Sequence, residues 1–286
     1  MVTTTTSDGV QTTDEELPTR HRPVRIRWYR PPEPVGTFVW IHGGAFCQGT
    51  LDGPESRAVA RGLAGHGLEV IALTPPMVPT VSMPLAGTRL PLPGVRHPVP
   101  VESALDALAE IGHRRPGYTL GGASAGACLA AAAAARLTDP RFGPVAHAPS
   151  RLVLAYGTFH SALPDPSPAL RDRLRGRYRL WQYRPFMVDL MNRNYLGRDA
   201  LPDDPTALPG GLLAAPLPPT LFVDADRDRI RSSAEAFAEE LRTLGTEVEQ
   251  IVVPLTSHGF LARPNDPAYR RTLVRFAHWL GIDERA

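Results

Sequence analysis

The chain has 286 residues, 43% of them hydrophobic, and a formal net charge of +2 from 31 basic and 29 acidic side chains. This near balance leaves no surplus of positive charge for nucleic acid or an anionic membrane, so a small uncharged or mildly anionic substrate is expected. Every basic residue is an arginine, which excludes Schiff-base and pyridoxal-phosphate chemistry on lysine and the lysine-containing phosphate-binding loop.

The two cysteines, Cys47 and Cys128, are too few for a disulfide framework and lack the spacing of a zinc site. We therefore expect reduced thiols, no metal and no cofactor. The sequence contains no run of about 18 apolar residues and no apolar segment typical of a signal peptide. It predicts a soluble, cytoplasmic protein with no membrane partner.

The N-terminal part predicts a flexible arm followed by the start of an alternating fold. Residues 1–20 lack apolar periodicity, and the alternative to a flexible arm is a segment that folds over a site as part of a cap. From residue 21 onward, apolar runs alternate with amphipathic stretches. The predicted elements are strands at Val24–Tyr29, Thr37–Ile41 and Glu69–Leu73 and a helix at Ser56–Ala64.

The middle of the chain begins with a proline-rich passage from Pro75 to Pro100, which is predicted to be a long loop because proline removes backbone donors and restricts the residue before it. A helix follows, with Leu105, Leu108 and Ile111 on one face. The next predicted elements are a strand at Tyr118–Gly121, a helix at Ala125–Leu137 and a strand at Leu152–Tyr156.

The C-terminal part repeats the same pattern. Strands are predicted at Pro219–Val223 and Glu247–Val253, and helices at Ser232–Leu244 and Pro267–Leu280. Alternating strands and helices indicate an α/β fold with a mainly parallel central sheet and helices on both faces. Residues 21–286 are expected to form one catalytic domain.

One insertion, about residues 160–213, interrupts the alternation. It is rich in proline and arginine and carries several aromatic and methionine residues: Trp181, Tyr183, Phe186, Met187, Met191 and Tyr195. Such a composition predicts a helical cap over the strand ends. The alternative is a surface excursion whose aromatic residues only anchor it; the cap is favoured because long unstructured connections are uncommon in compact domains.

A candidate nucleophile lies where a predicted strand meets a predicted helix, in the sequence Gly-Ala-Ser-Ala-Gly centred on Ser124. The glycines would allow the sharp turn that lifts a serine hydroxyl above the sheet edge. The alternative is a glycine-rich helix start without a catalytic role.

A second glycine-rich segment follows the predicted strand Thr37–Ile41. Its residues Gly43, Gly44 and Ala45, together with Ala125 after the nucleophile, are assigned to an oxyanion hole, with the backbone N–H groups of Gly44, Ala45 and Ala125 as the donors. The imidazole of His42 is expected to be a packed, structural side chain.

A general base must come later in the chain, and His258 lies in a short loop just after a late predicted strand. His160, just past another strand end, is the second candidate, whereas His278 lies within a predicted helix. No histidine spacing indicates a metal site.

Three carboxylates could orient the base: Asp224, Asp226 and Asp228, all between a predicted strand and a predicted helix. Asp228 lies deepest in the connecting turn, but local geometry leaves Asp226 open, and any of the three could merely favour the helix N-terminus.

Over roughly Val24 to Leu280 the sequence resembles the hormone-sensitive-lipase-like family of α/β-hydrolases. The resemblance rests on His42-Gly43-Gly44-Ala45-Phe46, the Gly-x-Ser-x-Gly motif at Ser124, and Asp228-Arg229-Ile230-Arg231 with the later His258-Gly259-Phe260. It implies that Asp228 is the acid, that the arm and the insertion share the cap, and that acyl esters are the substrates.

Three positions depart from the family pattern. Ala45 replaces a glycine, which retains the backbone donor but adds a methyl group. Ala123 replaces an aspartate before the nucleophile, so a supporting polar contact is expected to be missing. The segment Leu73–Pro79 replaces the family's Tyr-Arg-Leu-Ala-Pro-Glu.

The sequence therefore predicts a carboxylesterase-type serine hydrolase with Ser124, His258 and Asp228 as its triad and a small acyl ester as its substrate. The first alternative is acyl transfer, lactone formation or a non-hydrolytic cyclisation or elimination at the same serine. The second is a ligand-binding protein without catalysis. A homodimer is left open.

Overall fold

A computed structural model describes residues 3–5, 9–80, 94–142, 147–175, 185–197 and 204–282. The described strands form one nine-stranded sheet in the order β1-β2-β3-β5-β4-β6-β7-β8-β9. They are β1 Thr3–Thr5, β2 Gln11–Leu17, β3 Val24–Arg30, β4 Thr37–Ile41, β5 Glu69–Thr74, β6 Thr119–Ala123, β7 Leu152–Ala155, β8 Thr220–Ala225 and β9 Val248–Val253. Strands β5, β4, β6, β7, β8 and β9 run parallel, whereas β1, β2 and β3 are antiparallel.

Helices cover both faces of this sheet, which confirms the predicted α/β class. Those described are α1 Pro54–Gly65, α2 Val99–Arg114, α3 Ala125–Thr138, α4 Pro168–Arg173, α5 Pro185–Leu196, α6 Arg231–Thr243 and α7 Pro267–Trp279, with short 3-10 helices at Pro140–Phe142 and Phe260–Ala262. None of the helices in the described ranges is long and apolar enough to cross a membrane.

The alternation of side chains along the central strand β4 divides the core in two. Val39 and Ile41 belong to the cluster formed with α2, α3 and α6, whereas Phe38 and Trp40 belong to the cluster formed with α1 and α7. Because successive strand residues point to opposite faces, a strand buried on both sides must be apolar at every position. This is why the run Phe38–Ile41 predicts a central strand.

Helix α3 lies close to the sheet because its packing residues are small. Residues 125–135 are buried along their whole length, and alanine combines high helix propensity with little volume. A Cβ atom on Gly122 of β6 would lie 2.4 Å from the carbonyl oxygen of Gly126, so only glycine permits this approach. The short strand-to-helix junction that holds Ser124 depends on it.

The N-terminal segment differs from the flexible arm expected for residues 1–20. Residues 11–17 form β2, which pairs with β3 in a continuous antiparallel register. The side chains of Thr13 and Leu17 are buried, and Trp28 of β3 donates its indole N–H to Glu15 at 2.9 Å. A backbone ladder and cross-strand polar contacts stabilise this strand, and neither leaves an apolar period in the sequence.

The proline-rich passage is irregular at residues 75–80 and 94–98, and residues 81–93 lie outside the described chain. Helix α2 begins at Val99, so the predicted loop extends slightly too far. Pro100 lies in the first turn of α2, where a missing N–H costs no intrahelical hydrogen bond.

The insertion at 160–213 contains α4 and α5, as a helical cap requires. Residues 176–184, with Trp181 and Tyr183, and residues 198–203 lie outside the described ranges. The extent of the catalytic domain and of the cap stays a prediction.

Candidate active site

Ser124 occupies the junction between β6, which ends at Ala123, and α3, which begins at Ala125. Its backbone has φ 54° and ψ −120°, a conformation that non-glycine residues rarely adopt and that is found at functional turns. The turn is held by the Ser124 N–H, which donates to the carbonyl oxygen of Ala155 at 2.9 Å. The side chain therefore lies at the carboxyl edge of the parallel strands, where open sheets carry ligand sites.

The structure brings Ser124, His258 and Asp228 together from three separate loops. The imidazole Nε2 of His258 lies 3.0 Å from Ser124 Oγ, and Nδ1 lies 2.6 Å from Asp228 Oδ2. Asp228 is buried, and its Oδ1 accepts the backbone N–H of Ile230 at 3.1 Å. With one nitrogen bound to a carboxylate, the other is directed at the hydroxyl, as a general base requires.

The other two carboxylates of the β8–α6 connection have different partners. Asp224 lies on β8, and its Oδ2 accepts a hydrogen bond from the side-chain amide of Gln250 at 2.8 Å. Asp226 accepts the backbone N–H of Leu255 at 3.1 Å and forms an ion pair with Arg173 of α4 at 3.2 Å. Neither side chain bonds to His258, so the geometry favours Asp228.

His160, the second candidate for the base, belongs to a different cluster. Its Nδ1 lies 2.8 Å from Ser233 Oγ and its Nε2 lies 2.9 Å from Glu240 Oε1. Ser233 is fully buried, and its oxygen also accepts the backbone N–H of Phe159 at 2.8 Å. This serine–histidine–glutamate group ties the segment after β7 to α6, and its hydroxyl is inaccessible to a substrate. His278 lies in the last turn of α7.

The oxyanion loop, residues 42–48, follows β4 and makes a tight turn. The carbonyl oxygen of Gly44 accepts the backbone N–H groups of Cys47 at 3.0 Å and Gln48 at 2.8 Å. Within the described ranges, no atom accepts a hydrogen bond from the N–H of Gly44, Ala45 or Ala125. These three predicted donors are thus available for a negatively charged oxygen.

Gly43, which the sequence places in the oxyanion hole without assigning it as a donor, has a hydrogen-bond acceptor for its own N–H. Its N–H donates to Glu55 Oε1 at 3.3 Å, so this donor is directed at a carboxyl group and not at the nucleophile. Gly43 still lies against the nucleophile, because a Cβ atom placed on it would be 3.3 Å from Ser124 Cβ. The place of Gly43 in the oxyanion hole stays a prediction, and its N–H is not among the three assigned donors.

His42 occupies the packed loop position that the sequence favours. Its Nδ1 lies 2.7 Å from the carbonyl oxygen of Gly43, which can only accept, so Nδ1 carries the proton. Its Nε2 lies 3.2 Å from Thr74 Oγ1. Burial lowers the pKa of His42, which favours the neutral imidazole. The contact with Thr74 connects the loop to the end of β5.

Sequence reasoning missed two residues that adjoin this group, Glu55 and Tyr156. Glu55 accepts hydrogen bonds from the indole N–H of Trp40 at 3.3 Å and the hydroxyl of Tyr156 at 3.2 Å, besides that from Gly43. Burial raises the pKa of Glu55 against the effect of these donors. The Tyr156 ring meets the His258 ring edge-on, with centroids 4.9 Å apart. The only sequence signal is an acidic residue after Pro54 in the first turn of α1, which ordinarily indicates a helix start.

A small cavity of about 10 Å³ lies beside the oxyanion loop, between Ala125, Phe46 and Met77. The ring of Phe46 stacks on Tyr195 of α5 with centroids 4.0 Å apart and an interplanar angle of 10°. The insertion therefore contacts the oxyanion loop directly. In the described part of the chain, no group of three histidine, cysteine or acidic side chains is arranged to hold a metal ion.

Comparisons with known proteins agree with this architecture. A family model described as alpha/beta hydrolase fold matches residues 89–262. A hyperthermophilic esterase from the archaeon Pyrobaculum calidifontis superposes with a TM-score of 0.77 at 23% identity, over 95% of this chain and 86% of that one. A thermostable carboxylesterase from a metagenomic library gives 0.75 at 23% identity, over 95% and 89%. An esterase from Mycobacterium marinum gives 0.73 at 23% identity, over 96% and 82%.

At this level of identity the likeness to the solved structures shows the fold. No curated protein matches the sequence.

Proposed function

The chain belongs to the hormone-sensitive-lipase-like family of alpha/beta hydrolases, and we propose that it cleaves carboxylic esters by way of an acyl-enzyme on Ser124. The observation that carries the proposal is the position of the His258 imidazole, 3.0 Å from the Ser124 hydroxyl and 2.6 Å from the Asp228 carboxylate. The predicted family and fold are confirmed, and the roles of the individual residues are proposed.

In the first step, Ser124 Oγ attacks the ester carbonyl carbon while its proton moves to Nε2 of His258. The imidazole becomes a cation, which the buried carboxylate of Asp228 stabilises through Nδ1–H. The same hydrogen bond holds the imidazole in the tautomer that leaves Nε2 free to accept the proton.

The carbonyl oxygen becomes an oxyanion in this step. The N–H groups of Gly44, Ala45 and Ala125 are its proposed donors. Ala125 directly follows Ser124, Gly44 and Ala45 directly follow Gly43, which lies against Ser124, and none of the three N–H groups bonds to another described residue. Donors fixed before the reaction stabilise developing charge without reorganisation, and each contributes about 3 kcal/mol of transition-state stabilisation in related chemistry.

Collapse of the tetrahedral intermediate releases the alcohol, which takes the proton from His258, and leaves the acyl group on Ser124. Water then attacks the acyl-enzyme with His258 again as base, and the carboxylic acid leaves. The balance of atoms is one ester and one water consumed for one alcohol and one acid formed. No cofactor is needed.

The proposal is tested with p-nitrophenyl esters from acetate to decanoate, assayed on the wild type and on Ser124→Ala. Wild-type turnover that falls by about 10⁴-fold or more in the variant is expected. A fluorophosphonate probe should label the wild type and leave Ser124→Ala unlabelled. Equal labelling of the two proteins would overturn the assignment of the nucleophile.

The buried serine of the second cluster supplies a matched control. Ser233 also lies within hydrogen-bonding distance of a histidine that contacts a carboxylate, so Ser233→Ala tests whether such a group alone attracts the probe. Its labelling should equal that of the wild type. If the wild type hydrolyses none of these esters but Ser124 still reacts with the probe, acyl transfer or cyclisation is favoured instead. Assays with added alcohols or amines would then identify the acceptor of the acyl group.

A further inference from the structure

Glu55 is placed between the two parts of the site that must act together. It lies in the first turn of α1, away from the three loops that carry Ser124, Asp228 and His258. A Cβ atom placed on Gly43 would be 3.1 Å from Glu55 Oε2 and 3.3 Å from Ser124 Cβ. Gly43 therefore lies directly between the carboxyl group of Glu55 and the side chain of Ser124.

One oxygen of Glu55 holds the oxyanion loop. Oε1 accepts the N–H of Gly43 at 3.3 Å and the indole N–H of Trp40 at 3.3 Å. The peptide of Gly43 directly precedes that of Gly44, and only two soft dihedral angles separate consecutive planar peptides. Fixing the first peptide consequently restricts the direction of the Gly44 N–H, the first proposed donor to the oxyanion.

The other oxygen reaches the general base through Tyr156. Oε2 accepts the hydroxyl hydrogen of Tyr156 at 3.2 Å, and the tyrosine ring meets the imidazole of His258 edge-on at 4.9 Å. Tyr156 is itself buried, directly after β7, and its N–H donates to Val223 at 2.8 Å. The ring of Tyr156 thus packs against His258, and the hydrogen bond to Glu55 fixes the tyrosine hydroxyl.

The contacts of Glu55 distinguish it from an ordinary acidic residue at a helix start. In the part of the chain that the structure describes, no arginine or histidine lies within ion-pair distance of its carboxyl group. Two of its three partners adjoin the proposed catalytic group, since Gly43 lies against Ser124 and the ring of Tyr156 meets that of His258. A role confined to the helix dipole would require none of these bonds.

We propose that Glu55 is a positioning residue, whose carboxyl group holds the oxyanion loop through Gly43 and the imidazole of His258 through Tyr156 in one arrangement. The inference rests on the proposed function, since both positioned groups act in ester cleavage. Removing the carboxyl group of Glu55 should lower kcat and leave KM nearly unchanged, because the oxyanion donors and the base act on the transition state.

The test compares Glu55→Ala with Glu55→Gln on a p-nitrophenyl ester that the wild type hydrolyses. The alanine variant should lose about 10- to 100-fold in kcat, with KM changed by less than about threefold. The glutamine variant should recover kcat to within about threefold of the wild type, because its amide can accept from Gly43 and donate to Tyr156. If Glu55 only stabilised the fold, kcat would follow the melting temperature. A higher kcat in Glu55→Gln than in Glu55→Ala, at equal melting temperatures, therefore indicates positioning.

Two further variants complete the design. Tyr156→Phe keeps the ring against His258 but removes the bond to Glu55, so kcat should fall about three- to tenfold, and the double variant should be no slower than Glu55→Ala alone. Glu15 provides the matched control, since it also accepts a tryptophan N–H, from Trp28, but on the antiparallel side of the sheet. Glu15→Ala should retain the wild-type kcat.

The outcomes separate the two proposals. Wild-type turnover that depends on Ser124, with an unchanged kcat in Glu55→Ala, would overturn the positioning role alone. Absence of Ser124-dependent turnover and labelling would overturn the proposed function, and the positioning role with it. If Glu55→Ala does not fold, Tyr156→Phe decides: a wild-type kcat in this variant would overturn the inference, and a reduced kcat at an unchanged melting temperature would support it.

Discussion

The carboxylate of Asp226 accepts a hydrogen bond from the backbone N–H of Leu255 at 3.1 Å. Asp226 lies two residues before Asp228, and Leu255 lies three residues before His258, so this bond joins the two loops that carry the proposed acid and the proposed base. Leu255 has φ 63° and is 72% exposed, so packing does not hold its left-handed backbone. The bond to Asp226 compensates for this strain.

Replacing Asp226 with alanine should therefore lower the free energy of unfolding by about 1–3 kcal/mol, because the N–H of Leu255 loses its hydrogen bond to a charged acceptor. The measurement is urea unfolding followed by circular dichroism. Arg173 is the control: its side chain pairs with Asp226 but is 58% exposed, so Arg173→Ala should cost less than about 1 kcal/mol. Equal losses in the two variants would mean that the ion pair, and not the loop contact, carries the effect.

Replacing Asp228 with asparagine should leave the fold intact and lower kcat by about 10³- to 10⁴-fold, with little change in KM. The amide can present its N–H₂ group to Nδ1 and so favour the tautomer in which Nε2 carries the proton and cannot accept one from Ser124. Steady-state kinetics on a p-nitrophenyl ester measure this. A fall in kcat of less than about tenfold would argue against Asp228 as the acid and would favour Asp226 instead.

The oxyanion loop should be intolerant of a side chain at Gly44. Its φ is 128°, and a Cβ atom there would lie 1.9 Å from the carbonyl oxygen of Gln48, so Gly44→Ala must displace the loop. We expect kcat to fall at least about 100-fold, the usual effect of losing an oxyanion donor. Gly65 of α1 has no atom within 4 Å of the corresponding position, and Gly65→Ala should leave kcat unchanged. Wild-type activity in Gly44→Ala would exclude this loop from the reaction.

The regular part of the fold could be predicted because its signals are local. The run Phe38–Ile41 is apolar at every position, as a strand buried on both faces must be, and helices α6 and α7 show apolar residues at helical spacing. Strand β2 could not be predicted in this way. Its stability comes from pairing with β3 and from contacts such as Trp28 with Glu15, which follow from a partner elsewhere in the chain.

The site shows the same division. Ser124 and His258 were identified because each follows a strand, in a short loop that the fold brings to one edge of the sheet. Local reasoning alone left the choice among three aspartates open, because the depth of a turn is a property of the folded loop. Glu55 carried no usable signal: its partner Tyr156 lies 101 residues away, and an acidic residue after a proline is common at a helix start.

Asp224 is a fully buried carboxyl group that the proposed reaction does not use. One oxygen accepts a hydrogen bond from Gln250, whereas no described atom bonds to Oδ1. Burial raises the pKa of Asp224 to about 7, against the opposing effects of Gln250 and Arg231. The group is thus protonated in the folded protein over a range of pH in which it is ionised in the unfolded chain.

The raised pKa of Asp224 makes the stability of the folded state depend on pH. Between about pH 4 and pH 7 the folded state binds the proton that the unfolded state has released, so stability falls as pH rises through this range. Asp224→Asn keeps the shape of the protonated side chain and cannot ionise. It should be more stable than the wild type at pH 8, by on the order of a few kcal/mol, with a much smaller difference at pH 5. Urea unfolding at the two pH values measures this, and a difference that does not grow with pH would mean that Asp224 ionises in the folded protein as readily as in the unfolded chain.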